Sequence, residues 1–158
     1  MKKFELTSEF VTFLGKKLFR IKALVSFGDV KEGELGGFVE KEENLDQSGN
    51  AWVYGDAQVY GDAQVYGNAR VSGDAQVSGD ARVQCCRDYS ATSCFGSENR
   101  TTTFFRTKDD GISVRCGCFY GTLAEFREKV KERHGGSRTA KEYLMLADLM
   151  EFRLSKDE

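Results

Sequence analysis

From Gly49 to Gln84 the chain consists of six copies of a six-residue unit, GNAWVY GDAQVY GDAQVY GNARVS GDAQVS GDARVQ. Gly recurs at 49, 55, 61, 67, 73 and 79, Ala two places later and Val two places after that. A period of six suits neither an α-helix nor a heptad coiled coil; it suits short strands joined by tight corners. Gly followed by Asn or Asp accepts the positive φ of a sharp corner, and the Ala-x-Val alternation turns both side chains to one side. Three units close a three-sided coil, so the six units make two coils. Burying six valines does not offset the entropy lost in ordering so many residues, and flanking caps or neighbouring subunits must supply the rest.

The flanks supply candidates. Before the repeat, Phe10 to Leu14 and Leu18 to Leu24 read as two strands around Gly15-Lys16-Lys17, a hairpin able to cover the lower coil, and GELGGFVE from Gly33 reads as a lead-in coil with imperfect spacing. After it, Arg100 to Arg106 and Ile112 to Phe119 are rich in β-formers and are separated by the turn Lys108 to Gly111. Thr122 and Glu125 form a capping box for a helix with Leu123, Phe126 and Val130 on its apolar face, stopped by Gly135-Gly136. A second helix starts near Ser137, with Tyr143, Leu144, Ala147 and Met150 on one face.

The repeat resembles the hexapeptide-repeat proteins, whose left-handed parallel β-helix stacks coils with a Val-type residue inward and a small residue two places before it. The lead-in running into GNAWVYGD, and the C-terminal block TTTFFRTK with VRCGCFYGTLAEF, resemble members of that group found in phages, prophages and mobile elements. The resemblance implies a mainly β fold: a short left-handed parallel β-helix at 49–84, an N-terminal β-hairpin cap with the lead-in coil at 1–48, and a small α+β module at 85–158.

Charge names no partner. The chain carries 23 Lys and Arg against 25 Asp and Glu, and no segment is a basic arm, so sequence-specific DNA binding is not expected. No apolar run approaches the ~20 residues that span a bilayer, and an acid at Glu5 interrupts the start where a signal peptide would be apolar, which points to the cytoplasm.

Chemistry is sparse. The single histidine, His134, rules out a three-His metal site within one chain, and its place at a helix end suits capping of loose carbonyls. The five cysteines, Cys85, Cys86, Cys94, Cys116 and Cys118, lack paired Cys-x-x-Cys spacing and read as small buried hydrophobes, with a structural metal and a redox or disulfide role as the other readings; no metal and no cofactor is assigned. No Ser or Cys comes with an identifiable base and orienting acid, so no catalytic residue is assigned. Arg100, Arg106 and Arg115, with Thr102 and Phe104, are candidates for a phosphate-bearing ligand, since guanidinium forks fit phosphate oxygens, and Phe105 and Tyr120 add aromatic faces for a base; solvated strand-edge charge is the other reading. Strand alternation puts Arg100, Thr102, Phe104 and Arg106 on one face. Tyr54, Tyr60 and Tyr66, six residues apart, lie on three different edges of one coil, either as solvent-facing residues or as the interface of a homo-oligomer, a trimer or a multiple of three.

The resemblance then implies a non-catalytic oligomeric binding protein of phage or mobile-element origin. Such a protein would inhibit a host defence system in the host-cell cytoplasm, covering an effector or sequestering a cyclic or otherwise phosphorylated nucleotide signal. The alternatives are a hexapeptide-repeat acyltransferase with sites between subunits and a structural, polymer-forming component.

Overall fold

A computed structural model describes residues 2–95, 100–117 and 119–155; the side chains of Cys94, Phe95 and Arg100 lie outside the described residues, as does Cys118. The architecture is mainly β, with two helices at the C-terminal end. In the repeat the strands are β4 (Trp52–Val53), β5 (Gln58–Val59), β6 (Gln64–Val65), β7 (Arg70–Val71), β8 (Gln76–Val77) and β9 (Arg82–Val83). They pair in parallel as β4 with β7, β5 with β8 and β6 with β9. In each pair the partners stand three repeat units apart, Trp52 opposite Arg70 and Gln64 opposite Arg82, the offset expected if three units make one coil.

The Ala-x-Val pattern produces the core directly. All six alanines and all six valines are at most 1 % exposed and form one cluster. Each corner glycine sits at positive φ, between 59° and 72°, where a side chain would be strained.

Below the repeat, β1 (Phe4–Phe13), β2 (Lys16–Ala23) and β3 (Leu35–Val39) form an antiparallel sheet, and β3 continues in parallel onto β5. The hairpin therefore exists, with its first strand starting six residues earlier than the apolar pattern suggests and its turn at Leu14-Gly15. The lead-in coil joins two ladders, Phe38 opposite Gln58 and Leu45 opposite Val65, at an offset two places longer than the one inside the repeat. Lys3 closes the lower edge: its Nζ donates to Ala51 O at 2.7 Å and lies over the Phe27 ring, and burial lowers its pKa to about 8. Trp52 is sealed edge-on between Phe4 and Phe27.

Above the repeat, β10 (Tyr89–Phe95), β11 (Arg100–Arg106), β12 (Ile112–Cys116) and β13 (Phe119–Thr122) form an antiparallel meander. Alternate N–H groups of the lower coil donate to the upper one, as Gln58 N does to Ala75 O, and the corresponding alternate donors of the upper coil face outward. Side chains of the C-terminal segment accept three of them: Ser72 N donates to Tyr89 Oη, Gln76 N to Thr103 Oγ1 and Gln84 N to Asp88 Oδ2. An unpaired strand edge is thus closed by side chains in place of a third coil.

The other face of the meander packs on α1 (Leu123–His134) and α2 (Arg138–Leu154). Thr122 and Glu125 make the capping box, and Leu123, Phe126 and Val130 are buried. On α2 the buried face is Ala140, Tyr143, Leu146, Ala147, Met150 and Leu154, with Leu144 half-buried against it. No helix among the described residues is long and apolar enough to cross a membrane.

Candidate functional site

Alternation in β11 decides what its side chains can reach. Thr102 and Phe104 face the helices and are fully buried; Thr102 Oγ1 donates to Cys116 Sγ, and Phe104 meets Phe126 edge-on at 5.8 Å. Arg106 lies on the same face. Its Nε donates to Leu154 O at 2.6 Å and a terminal nitrogen donates to Ser155 O at 3.0 Å, holding the C-terminus of α2, while Asp88 sits 3.5 Å away. Thr103 and Phe105 face the repeat, and Phe105 is 0 % exposed within the repeat's own core.

Arg115 pairs with Thr103 on one side and Tyr120 on the other, so it projects from the face opposite Arg106. This corrects the five-residue pocket expected from the sequence: Thr102, Phe104 and Arg106 share one face, Arg115 stands on the other, and the Arg100 side chain lies outside the described residues. Thr102 and Phe104 are core residues, and Arg106 is engaged in holding a helix end. Arg106→Ala is therefore expected to lower stability by about 2 kcal/mol, since charge-assisted hydrogen bonds are worth about 1.5–3 kcal/mol. Denaturant unfolding and amide exchange over residues 150–155 would show it, and an unchanged midpoint would refute the helix-holding role.

The structure assembles a different group around Arg115. Its guanidinium carbon lies 5.0 Å from the Tyr120 ring centroid, 5.4 Å from that of Tyr60 and 5.8 Å from that of Phe13. Phe13 also tilts against Tyr60 at 5.6 Å. The N-terminal hairpin, the repeat and the C-terminal sheet thus meet in one seam. Arg115 is only 7 % exposed, and among the described residues no carboxylate pairs with it and its Nε has no hydrogen-bond partner. Tyr60 Oη and Ser78 Oγ are likewise buried and unpartnered. Burial pushes the Tyr60 phenol pKa up, opposed by the Arg115 charge and by the adjoining Ser78 hydroxyl. Glu40, which follows the strand that pairs with β5 and so lies beneath Tyr60, is occupied by Gly61 N at 2.8 Å and Lys16. Tyr120 reaches the seam because Gly79 has no side chain: a Cβ there would fall 1.8 Å from Tyr120 Oη.

The three repeat tyrosines therefore differ. Tyr60 is 3 % exposed and covered by its own chain, which removes it from an intersubunit surface. Tyr54 donates to Asp29 at 2.9 Å, and burial, reinforced by that bond, raises its pKa to about 12. Tyr66 is half-buried and lines an open groove of about 660 Å³ with Glu42, Glu43, Asp46 and Arg82. Arg82 is already bound to the carbonyls of Asp62 and Ala81. Cys85 and Cys86 are exposed, contrary to the burial expected for the cysteines, and Cys116 is half-buried. His134 ends α1 with its ring 5.8 Å from that of Tyr143.

Phe13 and Ser78 are the members of this seam that sequence reasoning missed. A signal existed for Ser78: it stands three repeat units after Tyr60, at the same corner one coil higher. Residues 63–77 and 75–84 match the family model described as YdcK beta solenoid repeat, so the repeat is similar to that of a β-solenoid family. No curated protein matches the chain.

Proposed function

We propose that the chain is a non-catalytic binding protein for a phosphate-bearing small molecule, built on a short solenoid that winds left-handed as in the hexapeptide-repeat proteins it resembles. The observation that carries this is Arg115, a permanently charged group kept in a buried seam with no counter-charge from the described residues. A buried charge is ordinarily paired, because desolvating it alone is costly. An anionic ligand is the partner that would complete it. The side-chain caps at both ends of the repeat support a discrete particle over a growing polymer. In the setting suggested by the phage-type resemblance, such a protein sequesters a nucleotide signal of host defence in the cytoplasm, as a trimer or a multiple of three.

Native mass spectrometry on protein purified from its own host cells tests this. Retention of a phosphorylated small molecule is the expected result. Protein that carries no ligand from those cells would overturn sequestration and direct attention to protein partners.

A further inference from the structure

We infer that the seam recognises the phosphate group itself and not a base, and that one chain supplies the whole cradle: Arg115 Nε, Ser78 Oγ and Tyr60 Oη. This rests on the binding reading above and names the part of the ligand that is held.

Buried polar groups are almost always hydrogen-bonded, and an exception calls for a bound partner. Four side-chain atoms among the described residues are buried without one, and three of them adjoin Tyr60: its own hydroxyl, the Ser78 hydroxyl and Arg115 Nε. Two hydroxyls and a guanidinium N–H can all donate, and the natural acceptor for such donors beside a positive charge is an oxyanion. The fourth atom, Trp52 Nε1, belongs to the capped lower end and not to this seam.

The same geometry leaves no pair of rings between which a base could be clamped. Phe104 and Phe105 are both 0 % exposed in two different cores, which leaves Tyr120 as the one ring of the three that a base could reach. Tyr120 is the ring with free surface at 41 % exposure, and it marks the side from which a phosphate can approach. Phe13, at the hairpin end, stands 5.8 Å from the Arg115 guanidinium carbon.

The test uses the full-length protein with ¹⁵N-labelled arginine, following the Arg115 Nε–H resonance, assigned by its loss in Arg115→Lys. Inorganic phosphate, a nucleoside 5′-monophosphate and the unphosphorylated nucleoside are titrated separately, each at constant ionic strength set with chloride. Saturable shifts with phosphate and with the monophosphate, and none with the nucleoside, are expected. A tighter monophosphate would assign the natural ligand to phosphate esters, and equal affinity to free phosphate; both support the cradle. Ser78→Ala should weaken phosphate about tenfold, the loss of one charge-assisted hydrogen bond. An unmoved Arg115 signal, an equal response to chloride alone, a response to the nucleoside, or full affinity in Ser78→Ala would each overturn the proposal. A ligand retained in native mass spectra together with a silent Arg115 would sink this cradle and leave the binding reading standing.

Discussion

Phe105→Ala is expected to lower stability by about 3–5 kcal/mol, the range for truncating a fully buried phenylalanine. The ring is 0 % exposed, and it sits in the cluster that holds the six alanines and six valines of the repeat. It thus occupies the upper mouth of the coil interior, the place a third coil would otherwise fill. Its neighbour in sequence makes the contrast: Phe104 is equally buried but belongs to the core formed with α1 and α2. Phe105→Ala should therefore expose the amides of β8 and β9 to hydrogen exchange while protection in α1 and α2 is largely kept, and Phe104→Ala should do the reverse. Denaturant unfolding gives the size of each effect and exchange gives its location. A uniform loss of protection in both variants would show that the two cores unfold as one unit.

That contrast also marks where the sequence stops being informative. The repeat is legible because its period, its glycines and its alternation agree, each enforcing the same corner and the same inward face. The capping box at Thr122 and Glu125 is legible for a similar reason, since its two hydrogen bonds are local. The destination of the two faces of β11 is not legible. Alternation correctly separates Thr102, Phe104 and Arg106 from Thr103 and Phe105, yet both faces are apolar enough to be buried, and the pattern does not say which core receives which. β10 escapes for another reason: YSATSCF is mostly small and polar, and it is strand because β11 pairs with it. Arg106 carries a charge that suits a ligand and is consumed by the distant carbonyls of Leu154 and Ser155. Arg115 was a candidate on the same chemistry, but its surroundings come from three separate segments that only the fold brings together.

The lead-in crosses the repeat too closely for a side chain at two positions, and a single methyl group tests it. β3 joins the ladder with Phe38 opposite Gln58, where the repeat sets Gln58 opposite Gln76, so the lead-in takes two extra places, and it crosses the coil through Gly36 and Gly37. A Cβ on Gly37 would lie 2.5 Å from Ala57 O and 2.7 Å from Val53 Cγ1; one on Gly36 would lie 2.5 Å from Val53 O. Neither glycine has a positive φ, so the demand is for space alone. Ala57 O is fixed because it accepts from Phe38 N at 2.9 Å, the bond that ties β3 to the repeat. A methyl at Gly37 must therefore displace backbone that a hydrogen bond holds, in place of nudging a side chain. Overpacking in a core ordinarily costs about 1–3 kcal/mol, and Gly37→Ala is expected at or above the top of that range, about 3 kcal/mol. Gly136→Ala is the control, because a Cβ there meets nothing within 4 Å and its φ is ordinary; it should be neutral or slightly stabilising through the unfolded chain. Urea unfolding of the two variants side by side measures the difference. If they unfold at the same midpoint, the crossing of β3 over the repeat is not as close as the backbone contacts at Gly37 require.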